Sequence, residues 1–214
     1  MFKSSTKKTP WLSWVEKNQT IIFLGVIISF IMTAMIFFKI QKITFNLGLL
    51  LAVSSIISFF YVIRIRGKNM RELPFIKIHL ISFTWVVVLI LFPMLNEEID
   101  TAVIDFSIAH YAYVLAVTIP FDIRDLKYDW PSQKTIPQFF GIFGAKAIGV
   151  ILLLFFDGYM ISILDDLMYN SLFHSAVVVQ IVLVIYMNEK RSDAYCAGLI
   201  DGSIALLGLS YFLL

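Results

Sequence analysis

Thr20-Ile-Ile-Phe-Leu-Gly-Val-Ile-Ile-Ser-Phe-Ile-Met-Thr-Ala-Met-Ile-Phe-Phe38 is an uninterrupted apolar run without a charge. A bilayer core takes about 20 helical residues per crossing, so this stretch reads as a membrane span. Windows of similar character occur near 44–63, 78–95, 102–121, 137–156, 171–187 and 194–213. Backbone polar groups in hydrocarbon must find partners within their own segment or in a closed barrel. The windows lack the ten-residue alternation of a barrel, which leaves helices. The expected fold class is all-α: a polytopic transmembrane helical bundle of about seven spans. Residues 1–19 form a cytoplasmic, interfacial N-terminal segment anchored by Trp11 and Trp14, and residues 20–214 form a single transmembrane domain.

Composition agrees with this reading. Of the 214 residues 59% are apolar and 15% charged, and the mean hydropathy is +0.85, well on the lipid side of an average soluble domain. A net charge of +2 gives no polybasic surface, so nucleic acid is not an expected partner, whereas the lipid bilayer is. A single cysteine, Cys196, excludes a disulfide scaffold and a thiolate metal cluster.

The charges also orient the spans. The N-terminus and the loops near 64–77, 122–135 and 188–193 hold all but three of the 17 Lys and Arg. The intervening loops at 96–101 and 157–170 carry Glu97, Glu98, Asp100, Asp157, Asp165 and Asp166 without a cation. By the positive-inside rule the N-terminus lies in the cytoplasm and the C-terminus outside, in the cell (inner) membrane. The fifth crossing has two registers: 137–156, or about 147–164 with Thr135–Ala145 along the interface, Lys146 at the surface and Asp157 submerged.

One cytoplasmic segment carries chemistry. Between Pro120 and Pro131 the chain reads Phe121-Asp122-Ile-Arg124-Asp125-Leu-Lys127-Tyr-Asp129-Trp130. At 100° per residue Asp122, Asp125 and Asp129 share a face about 60° wide, with Arg124 and Lys127 opposite. Like charges at these offsets repel by a few tenths of a kcal/mol, so something positive should sit among them. Mg²⁺ is a natural candidate, because it takes one or two carboxylates and completes its shell with water and phosphate oxygens. The same spacing also suits polar residues that merely end a span, with Asp122 capping the turn after Pro120.

The run Asp122-x-x-Asp125-x-x-x-Asp129, with Lys134-Thr-Ile-Pro137 and Gly141 behind it, resembles the second aspartate-rich motif of the UbiA family of intramembrane prenyltransferases. Phe60-Tyr61-Val-Ile-Arg64 with Arg71-Glu-Leu-Pro74-Phe-Ile-Lys77 and Trp85 resembles that family's preceding loop and span. Tyr195 and Leu199-Ile-Asp201-Gly202 resemble its last span. Together these cover about residues 45–214. The resemblance implies a UbiA-like helical bundle and Mg²⁺ held by Asp122, Asp125 and Asp129. It also implies a diphosphate contacted by Arg64, Arg124, Lys127 and Lys134, and transfer of a prenyl group from a prenyl diphosphate to an aromatic or other lipophilic acceptor in quinone-type lipid biosynthesis.

Two features depart from that pattern. Family members have nine spans and a first aspartate-rich motif after the second. Here one span precedes the matching region, and the loop Lys39-Ile-Gln-Lys-Ile43 holds no carboxylate. The expectation is that the two N-terminal spans are missing, through an internal start or a shortened gene. Two function classes are consistent with this: a Mg²⁺-dependent prenyltransferase, and a non-catalytic membrane protein that binds prenyl lipid or a partner membrane protein supplying the missing spans. A carrier built on Asp105, His110 and Asp201 is a third. Ionisable groups within spans need an account. Asp201 reads as a structural residue that faces protein and hydrogen-bonds between helices. His110, with Tyr111 and Tyr113, reads as satisfying a neighbouring helix, with the lining of an acceptor cavity as its alternative.

Overall fold

The computed structural model describes residues 10–40, 45–62, 73, 75–96, 101–127, 129 and 134–213. These residues are helical with short connections, and no strand occurs among them. The chain falls into two units, Met1–Leu49 and Leu50–Leu214.

The first unit holds α1 (Pro10–Lys17) and α2 (Gln19–Ile40). Pro10 suits the first helical position, where its missing N–H has no partner to lose. Asn18 closes α1, its main-chain N–H and its side-chain Nδ2 both donating to the Trp14 carbonyl. Helix α2 carries the apolar run 20–38 and rises about 33 Å, enough for a bilayer core. Helix α3 (Phe45–Val62) starts just ahead of the boundary between the units.

The second unit is built around α5 (Thr101–Asp125), which packs on α4 (Ile76–Val86), α6 (Ile136–Ile163) and α7 (Ser171–Tyr186). A last helix, α8 (Asp201–Phe212), packs on α7. Small and branched residues of α5, Ala109, Ala116, Ile119 and Ile123, meet Ala145, Leu153, Phe156 and Met160 of α6, spaced by three, four, seven or eight residues as one helix face requires. Gly149 lies in that stripe. A Cβ there would stand 3.1 Å from Val184 and 3.6 Å from Ile119, so its absence lets α5, α6 and α7 approach closely. Asn170 caps α7 by accepting from the Leu172 and Phe173 N–H groups, and its Nδ2 donates to the Ser210 carbonyl of α8.

Two helices contain π-helical turns. Val87–Leu91 continues α4, and Tyr195–Ile200 leads into α8. Each wider turn adds a residue and re-aims the helix beyond it.

Among the described residues four helices are long and apolar enough to cross a membrane: Gln19–Ile36, Thr101–Asp125, Ile136–Ile163 and Tyr195–Phe212. That is the character of an integral membrane protein. The other three expected crossings fall on shorter apolar stretches, Gly48–Ile57, Ile76–Leu91 and Ser171–Tyr186. The last rises about 24 Å, less than the roughly 30 Å of a hydrocarbon core, so it is not long enough by itself.

The fifth crossing combines both expected registers. Residues 136–163 run as one helix broken at Gly141 (φ 70°, ψ 171°), a conformation that glycine adopts without strain. Beyond the break, Lys146 Nζ donates to the Ile185 carbonyl in the last turn of α7. The helix continues past 156, so Asp157 lies in α6, as the second register has it, rather than in the 157–170 loop, and pairs with His174 at 2.9 Å. Asp105 accepts from the Tyr159 hydroxyl at 2.8 Å.

Candidate functional site

The α4, α5 and α8 helices leave a cleft of about 630 Å³ between them. Its lining is mostly apolar along its length, with Trp85 and Ile90 on the α4 side, Val114 and Val117 on α5 and Ile204 and Leu207 on α8. One end differs. There Lys77, Asp122, Arg124, Asp125 and Asp201 converge.

Helix α5 delivers the aspartates. It runs through Pro120, which has no N–H to give the Ala116 carbonyl, and ends at Asp125. Asp122 and Asp125 are therefore helical neighbours, as their spacing predicts. Asp129 lies past the helix end, where its N–H donates to the Asp125 carbonyl.

Lys77 is the cation among them. Its Nζ donates to Asp122 Oδ1 at 2.8 Å and to Asp129 Oδ2 at 3.4 Å. The Asp122 side chain is 1% exposed and that of Lys77 10%, so the pair is desolvated. Lys77 stands ahead of the apolar part of α4. Burial there works against its charge, but the carboxylates of Asp122, Asp129 and Asp125 outweigh burial and raise its pKa, which keeps it an ammonium at neutral pH. The expectation that something positive sits among the aspartates is met by the chain's own lysine. The sequence places Lys77 in the basic 64–77 loop and at the end of the Arg71–Lys77 stretch, and neither position singles it out as a site residue.

Arg124 does not point away from the aspartates as an ideal helical wheel places it. Its long side chain folds back onto its neighbour, with Nε 2.8 Å from Asp125 Oδ1 and Nη2 3.2 Å from Oδ2, a bidentate pair. The third guanidinium nitrogen, Nη1, lies 3.4 Å from Asp193, ahead of the last helix, and the group stands 5.3 Å from the Phe121 ring centroid. Lys127 and Lys134 are exposed and do not line the cleft; Lys134 has a left-handed backbone (φ 44°). Arg64 lies outside the described residues.

Asp201 does not face protein, which corrects its structural reading: it is exposed and lines the cleft on the side of Arg124. His110 does both things weighed for it. Its Nδ1 donates to the Phe106 carbonyl at 2.9 Å, which leaves Nε2 to accept from the Tyr211 hydroxyl of α8 at 3.2 Å, and the ring lines the cleft. Tyr113, on the same wall, accepts from Nε2 of the buried Gln180.

Among the described residues no group of three His, Cys, Asp or Glu is placed to hold a metal ion. Asp122 and Asp129 converge instead on one positive charge, the Lys77 ammonium. Comparison with family models, with curated proteins and with solved structures finds no match.

Proposed function

We propose that the chain is a UbiA-like membrane prenyltransferase homologue of seven crossings, N-terminus cytoplasmic and C-terminus outside, and that the cleft takes a prenyl diphosphate. The observation that carries this reading is the polarity of the cleft: an apolar channel along α5 with Lys77, Asp122, Arg124 and Asp125 gathered at one end. A ligand that matches it has a charged head and a long hydrocarbon tail. Resemblance of the aspartate run to a diphosphate-binding motif points to the same head group.

In this reading Asp122, Asp125 and Asp129 hold Mg²⁺, which when bound offsets the charge of the diphosphate and of the leaving group. Lys77 and Arg124 turn from their carboxylates to phosphate oxygens, and Arg64, Lys127 and Lys134 approach from the cytoplasmic loops. The C1–O bond of the prenyl diphosphate breaks, its electron pair leaving with the diphosphate. A carbon of the aromatic or lipophilic acceptor forms the new bond to C1 and gives up a proton. Apolar walls exclude water, which would otherwise capture the allylic cation.

A second reading, binding of prenyl lipid without turnover, is favoured by one observation: Lys77 and Arg124 are already committed to carboxylates, and no metal cage is preassembled among the described residues. It includes association with a partner membrane protein that supplies further spans. The test is Mg²⁺-dependent binding of radiolabelled geranylgeranyl diphosphate to the full chain in nanodiscs, beside an Asp122→Asn/Asp125→Asn variant. Saturable binding lost in the variant supports the site, and release of diphosphate with a phenolic acceptor then distinguishes enzyme from binder. Equal binding to both proteins, or none to either, overturns it.

A further inference from the structure

We infer that the C-terminal end of α7 and the part of α6 beside it form a binding site for one anionic phospholipid, its phosphodiester held between Lys146 and Arg191. This site shares no side chain with the cleft, so it stands whether or not the cleft takes a diphosphate.

Helix α7 is short for a crossing. Its 16 residues rise about 24 Å against roughly 30 Å of hydrocarbon, which brings its end close to the apolar layer, where an unpartnered carbonyl is costly. The last four carbonyls of a helix have no partner within it, and here each finds one beyond. Leu183 accepts from the Tyr195 hydroxyl at 2.8 Å and Val184 from the Met187 N–H at 3.3 Å. Ile185 accepts from Lys146 Nζ at 2.8 Å, and Tyr186 from Arg191 Nε at 3.2 Å. Two cations from different segments, α6 and the 188–193 loop, are thus pinned to adjacent carbonyls, which sets them within about 10 Å of each other.

These cations have charge and donors to spare. Lys146 gives the protein one of its three N–H donors, and Arg191 one of its five. Among the described residues neither meets a carboxylate: Asp193 is engaged by Arg124 at 3.4 Å, while Glu189 and Lys190, both exposed, offset each other. The negative end of the helix dipole, roughly half a charge, covers only part of two positive ones. The Arg191 guanidinium stands 4.7 Å from the Tyr195 ring centroid, and that ring is itself tied to Leu183, which favours one placement of the charge. The surface around the pair is apolar. Phe143, one turn ahead of Lys146, is 87% exposed and Tyr186 64%. Away from this end Ile151 and Leu154 continue the exposed side of α6, and Val182 and Val178 that of α7. A free phosphate would leave these side chains uncovered, whereas a diacyl lipid lays its chains on them and brings a phosphate to the cations.

The test is native mass spectrometry of the full chain released from nanodiscs of equal parts phosphatidylglycerol and phosphatidylcholine, matched in acyl chains. A cation close to an anionic lipid is worth about a fivefold change in binding, so the parent should retain phosphatidylglycerol in preference by about thirtyfold. Lys146→Gln and Arg191→Gln keep an N–H donor for the carbonyl and remove the charge, and each should lower the preference about fivefold. Lys17→Gln, in the first unit, should lower it less than twofold. In detergent, added phosphatidylglycerol should raise the unfolding midpoint of the parent, and inorganic phosphate at the same concentration should not. Should a glutamine variant not fold, the preference of the parent and the phosphate comparison decide. Absence of a preference in the parent, or equal losses in Lys17→Gln and Lys146→Gln, would overturn the inference. Protection by inorganic phosphate equal to that by the lipid would overturn it too, by assigning the pair to a free anion.

Discussion

Replacing Lys77 by methionine removes the cation that Asp122 is folded around and preserves nearly all of the side-chain volume. At 2.8 Å, two unit charges in an effective dielectric of about 20 attract by about 6 kcal/mol, and the Asp129 contact at 3.4 Å adds about 5 kcal/mol in the same gross sense. Desolvation of both ions offsets much of this, and measured losses on breaking a buried pair from one side run to about 3–5 kcal/mol. Asp122, with its side chain 1% exposed, has little water to turn to. Lys77→Met is therefore expected to lower the unfolding temperature of the purified protein by about 6–20 °C, at about 2–4 °C per kcal/mol for a chain of this size. Asp122→Asn in the same background should recover at least half of that, since it removes the stranded charge. Thermal unfolding in detergent, followed by tryptophan fluorescence, reads both numbers. A Lys77→Met protein that melts with the parent, or a double variant no more stable than the single, would refute the reasoning that these two groups are held together in a dry site.

Three other outcomes are expected from the geometry. Asn170→Ala removes the cap of α7 and the bond to the Ser210 carbonyl, and should cost about 1–3 kcal/mol, measurable as a lower unfolding midpoint in the same assay. Gly149→Val places branched carbon against Val184 and Ile119, and should destabilise by about 1–3 kcal/mol through overpacking; a neutral result would mean that α6 and α7 are less closely packed than described. Under the proposed function, chelation of divalent ions with EDTA should weaken geranylgeranyl diphosphate binding by about tenfold or more, one charge-assisted contact's worth, with recovery on adding Mg²⁺. Binding indifferent to EDTA would favour a head group held by Lys77 and Arg124 alone.

Much of the scaffold is legible in the sequence because it obeys short-range rules. Apolar windows predict the helices, and the i, i+3 spacing places Asp122 and Asp125 on one face of a helix that does persist to Asp125. Arg124 escapes the helical wheel because a wheel places Cβ atoms, and a guanidinium on a long flexible stem can reach a carboxylate on the adjacent residue. Lys77 escapes it for a different reason. It lies 45 positions before Asp122, and only the antiparallel packing of α4 on α5 brings them together. Asp201 departs from its expected surroundings because no short-range rule tells which side of α8 meets protein; it opens that helix directly behind the π-helical turn Tyr195–Ile200.

The charges at the mouth of the cleft bear on which head groups it can hold. Among the described residues, the ionisable side chains that line this end are three carboxylates, Asp122, Asp125 and Asp201, against two cations, Lys77 and Arg124. Both cations are already within 2.8 Å of a carboxylate oxygen. A diphosphate arriving alone would meet a carboxylate in excess and would have to draw Lys77 or Arg124 away from partners that are themselves poorly solvated. A diphosphate arriving with a divalent cation meets neither obstacle, because the ion's charge covers the surplus and each released carboxylate gains a new partner as it loses its old one. For these lining side chains a shared cation therefore reconciles the carboxylates with a strongly anionic ligand, unless Arg64, Lys127 and Lys134 close on the head group in its place. That is the physical reason to expect affinity to depend on Mg²⁺ even though no metal group is preassembled among the described residues. It also makes Asp201 informative. Asp201→Asn removes the surplus without touching the Lys77 pair, and should therefore reduce the dependence of binding on Mg²⁺ while leaving the unfolding midpoint within about 1 °C, as expected for an exposed residue. A variant that still requires Mg²⁺ to the same degree would show that the ion serves the ligand's charge alone and that the surplus carboxylate plays no part.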